Sequence, residues 1–124
     1  MLRPNIVTRQ IDGSLWLIRL EGGHDISTAQ DLRREVDRIF DTGMSMVVDL
    51  AYATSIDSAI LGELLRGELH TQSSLSEHMV VTAPPGSAAA RLFELVDATH
   101  TCFPVFDSID AAIESCRRPA PSPA

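Results

Sequence analysis

The stretch Val47–Gly62 reads VVDLAYATSIDSAILG and decides the fold class. It begins within a short, mostly apolar run, Met46–Leu50, which is typical of a strand covered on both faces. We predict a loop over Ala51–Ile56 and then a helix over Asp57–Gln72, because Asp and Ser are preferred at helix starts. A buried strand followed by a loop and a helix favours an α/β domain, with a mixed, mostly parallel β-sheet and covering α-helices.

The residues before this stretch predict a β-hairpin. Its strands are expected over Asn5–Ile11 and Ser14–Glu21, which are rich in Ile, Val, Leu and Trp. Asp12-Gly13 is expected to supply the two positive φ angles of a tight turn between them. Gly22-Gly23 is expected to end the second strand, because glycine weakens strands.

Two amphipathic helices are predicted, one before and one after the central strand along the chain. In the first helix, Ser27 and Gln30 fit a capping box, and Gly43 ends the helix. Its apolar stripe comprises Ala29, Leu32, Val36, Ile39 and Phe40. The stripe of the second helix comprises Ile60, Leu61, Leu64, Leu65 and Leu69. Gly62 and Gly67 each cost this helix about 1 kcal/mol relative to alanine, so we expect close packing at one of them at least.

The last third of the chain is predicted to contain two further strands, His78–Thr82 and Phe103–Phe106, each followed by a helix. The third helical stripe comprises Ala89, Leu92, Phe93 and Val96. Asp107-Ser108 is expected to cap the fourth helix, whose stripe comprises Ile109, Ala112, Ile113 and Cys116. The predicted order is β-β-α-β-α-β-α-β-α, in a single domain over residues 5–117. We expect residues 118–124 to be a disordered tail.

Composition and charge limit the kinds of partner. The chain has 124 residues and a mass of 13.5 kDa, the size of one domain. Its 17 Asp and Glu outnumber its 10 basic residues, all arginine, and the net charge of −7 repels phosphate backbones. The main arginine cluster comprises Arg33, Arg34 and Arg38, interleaved with Asp31, Glu35 and Asp37. We predict that this cluster forms ion pairs on a solvated helix face, and we expect no direct nucleic-acid binding.

The compartment is predicted from the apolar runs and the cysteines. No run approaches the roughly 20 residues that span a bilayer, and the first residues lack the apolar core of a signal peptide. Cys102 and Cys116 do not form a C-x-x-C pair. We therefore expect a cytoplasmic protein with no membrane segment and with reduced cysteines that serve packing. A redox switch between the two thiols is the alternative.

Catalytic and metal-binding patterns are missing from the sequence. It contains no nucleotide-binding glycine loop, no nucleophile elbow and no zinc-protease motif. His24-Asp25 has no third ligand nearby in sequence. Asp49 and Asp57 are conceivable as an acid pair, but the simpler interpretation is that Asp49 closes a strand and Asp57 begins a helix. We expect no enzymatic activity, no catalytic residue, no cofactor and no metal.

Asp57-Ser58 supports two interpretations. On physical grounds alone, the pair caps a helix, as Asp or Ser does at many helix starts. Alternatively, Ser58 is a phosphoacceptor, because the free N–H groups and the dipole at a helix N-terminus favour negative charge.

Several segments resemble one protein family. The stretch that ends at Gly62 is similar to the phosphorylation-site segment of STAS-domain anti-sigma factor antagonists, which typically reads V-V-x-D-L-x-x-x-x-x-I-D-S-x-G-x-G. Leu20–Ala29 resembles the family's entry into its first helix, and Arg91–Leu95 resembles its third helix. Phe103–Ala112 is similar to its closing strand and helix. The resemblance covers residues 5–117 and implies a STAS fold.

The resemblance also implies a partner switch. In this family the unphosphorylated antagonist binds an anti-sigma factor, usually a serine kinase, and the sigma factor is released. The kinase inactivates the antagonist by phosphorylating the serine that corresponds to Ser58, and a phosphatase reverses the reaction. The residues implied for partner binding are Asp25, Ser55, Ile56, Asp57, Ser58, Ala59 and Gly62.

The chain departs from the family pattern at three positions, and other functions stay open. Ile60 stands where the family has glycine, and Gly23 and His24 replace an acidic and an apolar residue. A STAS domain that binds its partner without being phosphorylated is therefore one alternative. A subunit of another assembly, such as a stressosome-like scaffold or a lipid-transport ABC complex, is a second, and a small-ligand binder is a third. Homodimerisation is left open.

Overall fold

The computed structural model describes residues 3–74, 76–96 and 103–117. The strands within these ranges are β1 Asn5–Asp12, β2 Leu15–His24, β3 Ser45–Asp49, β4 Ala53–Ile56, β5 Met79–Thr82 and β6 Val105–Phe106. The helices are α1 Ile26–Asp41, α2 Ser58–Gln72, α3 Ala88–Val96 and α4 Ile109–Arg117. Cys102 and the predicted tail over 118–124 lie outside the described residues. No helix in the described part of the chain is long and apolar enough to cross a membrane.

The strands form one mixed sheet in the order β1-β2-β3-β5-β6. Only the hairpin pair β1–β2 is antiparallel, and every other described pairing is parallel. The helices that follow the parallel strands make the crossovers. The predicted fold class, a mostly parallel sheet with covering helices, is therefore confirmed.

Two apolar cores lie on opposite faces of the sheet. The larger core packs α1, α2 and α3 on residues such as Ile18, Leu20, Met46, Val48 and Val81. The smaller core packs α4 on Leu15, Leu17, Val47 and Val80. Every predicted stripe residue of α1 is buried. Gly43, with φ +78°, ends that helix as predicted.

Two predicted core residues are instead exposed. Leu69 is 66% exposed, because the buried side of α2 is set by Ile60, Leu64 and Gly67. A helix turns about 100° per residue, so Leu69 lies roughly 200° around the axis from Gly67 and faces outward. Val96 is 47% exposed because it is the last residue of α3 and lies beyond the core.

The hairpin differs from its prediction at the turn. Gly13-Ser14, rather than Asp12-Gly13, separates the strands, and Gly13 does not have the predicted positive φ. The Asp12 carboxylate instead accepts the Ser14 N–H at 2.8 Å and the Ser14 hydroxyl at 2.9 Å. These bonds lower the pKa of Asp12, with a further contribution from Arg117. The Asp12 side chain therefore closes this turn.

The second strand does not end at Gly22-Gly23. β2 continues to His24, with Gly22 at φ +81° and a register shift between the two glycines. Beyond this irregularity β2 pairs with β4, a short strand within Ala51–Ile56, which was expected to be a loop. The glycines therefore let β2 pair with β3 over its first half, Leu15–Arg19, and with β4 over its end, Gly22–His24.

Candidate functional site

The candidate site lies where β2 and β4 end and α1 and α2 begin. His24 pairs with Ile56 in the last register position of these parallel strands. The next residues, Asp25 and Asp57, are the N-caps of α1 and α2, and both have extended backbone. The two helices also pack against each other. The chain therefore starts two helices next to each other, each with an aspartate at its N-terminus.

Asp25 caps α1 through a network of short hydrogen bonds. Its carboxylate accepts the Ser27 hydroxyl at 2.5 Å and the Ser27 N–H at 2.8 Å, and both bonds lower the pKa of Asp25. In return, the Thr28 hydroxyl accepts the Asp25 N–H at 3.3 Å. The capping box is therefore Asp25 with Thr28. The prediction of Ser27 with Gln30 is wrong because the helix begins earlier.

His24 supports this cap from inside the protein. It is 2% exposed, and its Nε2 lies 2.9 Å from the Glu21 carbonyl oxygen. A carbonyl oxygen only accepts, so Nε2 carries a hydrogen. Nδ1 lies 3.0 Å from the hydroxyl oxygen of Thr28, the second member of the capping box. Both ring nitrogens are thus engaged within the chain, which gives His24 a structural role.

Asp57 caps α2, as the simpler interpretation of Asp57-Ser58 predicts. Its carboxylate accepts the N–H groups of Ala59 at 2.9 Å and of Ile60 at 3.3 Å. Ser58, the first residue of the helix, is exposed. Its hydroxyl makes no hydrogen bond within the described part of the chain. The cap is therefore complete without Ser58, which leaves that hydroxyl available at the helix start.

The strand β4 brings further hydroxyl groups to the same edge. Thr54 and Ser55 are exposed, whereas Ile56 is half-buried against the larger core. Ser55 is paired with Gly23, and a Cβ atom built on Gly23 would lie 2.9 Å from the Ser55 Oγ. Glycine at this position therefore allows Ser55 to lie close against β2.

The structure places five of the predicted partner-binding residues at this edge: Asp25, Ser55, Ile56, Asp57 and Ser58. Gly62 is exposed one helical turn beyond Ser58 on the same side of α2. Ala59 is half-buried. Ile60, the departure from the family pattern, is fully buried in the larger core. Its side chain therefore adds no bulk to the exposed surface around Ser58.

Asp49 does not join this site. Its side chain lies on the α4 face of the sheet, where it is fully buried, and it accepts hydrogen bonds from Arg19 Nε at 3.1 Å and from the Ala51 N–H at 3.0 Å. Asp57 caps a helix on the opposite face. The structure therefore gives no support to Asp49 and Asp57 as an acid pair.

Sequence reasoning missed one exposed aromatic residue near the site. Tyr52, in the turn between β3 and β4, is 54% exposed, and the Arg19 guanidinium lies 4.5 Å from the centre of its ring. The sequence predicts Tyr52 only as part of the loop over Ala51–Ile56. The only sequence signal was an aromatic residue in a turn, and Arg19 is remote in sequence.

Comparison with known proteins finds several solved structures that are similar to this chain. No family model matches the chain, and no curated protein sequence matches it. An anti-sigma factor antagonist from Mycobacterium paratuberculosis superposes with a TM-score of 0.80 at 21% identity, covering 94% of this chain and 96% of that one. The antagonist SpoIIAA in its unphosphorylated form gives 0.66 at 16% identity, covering 91% and 98%. The phosphorylated form of the Bacillus cell fate determinant SpoIIAA gives 0.66 at 14%, covering 91% and 100%. The chain therefore has the STAS-type fold of the anti-sigma factor antagonists, as its sequence resemblance implied.

Proposed function

We propose that this chain is an anti-sigma factor antagonist that binds an anti-sigma factor of the serine-kinase type and is switched off by phosphorylation at Ser58. The observation that carries the proposal is the Ser58 hydroxyl at the start of α2, which is exposed and has no hydrogen-bond partner among the described residues. It lies in a fold shared with both forms of SpoIIAA. In this proposal the chain has no enzymatic activity of its own. The kinase supplies the nucleotide, and a phosphatase restores the hydroxyl.

A phosphate on Ser58 is compatible with the fold. Helix N-termini favour negative charge, by about 0.3–1 kcal/mol at exposed positions. Asp57 already holds the N–H groups of the first turn, so the cap does not depend on the Ser58 hydroxyl. We therefore expect the phosphorylated chain to stay folded, with the effect of the modification confined to its surface.

The same phosphate is expected to repel an acidic or apolar partner face that packs on this edge. Phosphorylation adds about −1.5 to −2 charges at pH 7. Asp57 and Asp25 already place two carboxylates there, and both take their hydrogen bonds from N–H and hydroxyl groups rather than from arginines. Two negative unit charges about 4 Å apart repel each other by about 4 kcal/mol at an effective dielectric of about 20, before screening by salt. A net loss of roughly 2–3 kcal/mol corresponds to binding weakened roughly 30- to 150-fold.

The experiment compares partner capture by Ser58→Ala and Ser58→Asp chains. We expect Ser58→Ala to retain a kinase-type anti-sigma factor and Ser58→Asp to lose it while keeping near-normal melting. Ser76→Asp is the matched control, because Ser76 is exposed near the other end of the sheet, before β5 begins. Capture of a transporter ATPase or of a large multi-copy scaffold instead would assign the chain to another assembly.

Mapping the phosphate tests the position of the switch. After incubation with the captured kinase and ATP, mass spectrometry should locate the modification on Ser58. Modification of Thr54 or Ser55, which are also exposed, would move the switch into β4. No modification would contradict the phosphorylation step and leave a domain that binds its partner without being modified.

A further inference from the structure

Among the described residues, the α4 face of the sheet is covered over only part of its width. α4 packs mainly on β3, β5 and β6, and its apolar side also meets Leu15 and Leu17 of β2. On the hairpin side of this face, Val7 lies opposite Arg19 and Arg9 lies opposite Leu17. Residues paired in this way project to the same side of a sheet. Arg19 is in turn paired with Asp49 of β3, which fixes this side as the α4 face.

These side chains form a surface that we call the β1 patch. It comprises Arg3, Val7, Arg9, Leu17, Arg19 and Tyr52. Val7 is 41% exposed, and Tyr52 supports the Arg19 guanidinium from one side while Asp49 binds it from below. A groove of about 530 Å³ runs between Arg3, Glu21 and Tyr52. A smaller one of about 140 Å³ lies between Val7, Arg9, Leu17 and Arg19. The patch thus combines an apolar floor with guanidinium groups, and Glu21, which accepts a hydrogen bond from Asn5, places one carboxylate beside Arg3.

The charge of the patch contrasts with that of the chain. The described arginines that pair with a carboxylate are Arg19, Arg33, Arg34, Arg38, Arg66 and Arg117. Arg91 donates to the Gly86 carbonyl oxygen. Arg3 and Arg9 have no ion-pair partner within the described residues, although the chain carries 17 acidic side chains. Of the arginines that the structure describes, the two without a partner therefore lie together, on β1 and just before it.

β1 also has a free edge. Within the described ranges it pairs with β2 alone, and the pairing is regular from Asn5 to Gln10 before the register shifts. An edge strand presents unpaired N–H and C=O groups to which an extended segment can add as a further strand. Alternate side chains of the added strand would project onto the α4 face, beside Val7 and Arg9.

We propose that the β1 patch binds an extended acidic segment of a partner protein. The segment adds to the free edge of β1, directs carboxylates toward Arg9 and Arg3, and packs apolar side chains against Val7 and Tyr52. Two unpaired guanidinium groups suit a few carboxylates, whereas a net charge of −7 opposes a nucleic acid. The patch lies on the face of the sheet opposite α2, so this inference does not depend on the function proposed for Ser58.

The test uses a short, labelled peptide in which every second residue is in turn glutamate or valine and the residues between them are threonine, so that both side-chain types project to the same face. Binding is measured by fluorescence anisotropy. We expect Arg9→Glu to weaken binding at least about tenfold, which corresponds to roughly 1.4 kcal/mol. Arg91→Glu is the matched control, because Arg91 is an exposed arginine on α3, and it should bind as the unmodified chain does. Raising the salt concentration should weaken binding in the unmodified chain more than in Arg9→Gln.

Five results would overturn the proposal. The first is no binding of the peptide, and the second is equal binding of a peptide in which lysine replaces glutamate. The third is an unchanged affinity in both Arg9→Glu and Arg9→Gln, with folding verified by circular dichroism. The fourth is tighter binding of a DNA duplex than of the peptide. The fifth is a chain dimer in sedimentation that Arg9→Glu dissociates, which would make the β1 edge a contact between two copies of this chain.

Discussion

Gly62 lies inside α2 at a position where the folded chain does not require glycine. It is exposed, its φ is outside the left-handed region, and a Cβ atom built there meets no described heavy atom within 4 Å beyond its chain neighbours and the adjacent helix backbone. In a helix interior, alanine stabilises the folded chain by roughly 0.5–1 kcal/mol relative to glycine. We therefore expect Gly62→Ala to raise the free energy of unfolding by that amount. The corresponding rise in Tm is about 2–5 °C for a domain of this size.

Gly67, in the same helix, provides the matched comparison. A Cβ atom built on Gly67 would lie 3.0 Å from the Met79 Cε and closer still to its Sδ. Met79 is 2% exposed and is part of the larger core, so its side chain has little space to move. Overpacking a core costs about 1–3 kcal/mol, which exceeds the gain in helix propensity. We expect Gly67→Ala to lower the free energy of unfolding by up to about 2 kcal/mol.

Urea unfolding followed by circular dichroism measures both variants. A Gly67→Ala chain as stable as Gly62→Ala would show that Met79 moves aside freely and would refute the packing argument. A Gly62→Ala chain with a lower free energy of unfolding than the unmodified chain would refute the inference that this position is open. Gly62 also belongs to the proposed partner surface, so we expect the stabilised variant to bind the anti-sigma factor more weakly. Equal binding would remove Gly62 from that surface.

Three further predictions concern titratable groups. The folded-state pKa of Asp25 is below its ordinary value of 3.8, so its contribution to stability is present above that pH and is lost as the pH falls through the folded-state pKa. In Asp25→Asn, the free energy of unfolding measured with urea should therefore fall less between about pH 6 and about pH 3 than in the unmodified chain. Asp49→Ala removes the buried partner of Arg19 and should cost about 1–3 kcal/mol in urea unfolding, whereas Asp49→Asn should cost less because it keeps an acceptor oxygen. Burial raises the pKa of the Cys116 thiol to about 11, so in a Cys102→Ala chain its alkylation near neutral pH should be roughly 100-fold slower folded than in urea. An oxidant-induced disulfide between these two cysteines in the folded chain would contradict the packing interpretation.

The helices could be predicted from sequence because their signals are local. The stripe of α1 repeats at helical spacing, and all of its members are buried. Ser108 lies directly before α4, as predicted, and its hydroxyl accepts the Ala111 N–H at 3.2 Å. Leu69 was misplaced because periodicity alone cannot show where Gly67 brings α2 against Met79. That contact depends on an element elsewhere in the chain.

The strand β4 and the cap of α1 could not be predicted in the same way. β4 exists because Gly22-Gly23 let β2 change register and pair with it, a long-range pairing without a sequence period. Thr28 completes the cap of α1 through Asp25 and His24, whereas the local pattern of Ser27 and Gln30 suggested a later start. The sequence therefore predicts the candidate residues one by one, whereas their position together at one edge depends on the pairing of β2 with β4.

In the function proposed here, the arrangement of this edge separates capping from signalling. Each helix start is held by an aspartate, Asp25 in α1 and Asp57 in α2, and these capping bonds do not involve the Ser58 hydroxyl. If the Ser58 hydroxyl were itself the cap, a phosphate would alter folding and binding together. Because it is not, the charge of a phosphate acts on the surface around it, where it adds to two carboxylates already fixed in place. A switch built in this way changes the affinity for a partner by electrostatics while the stability of the domain stays nearly constant.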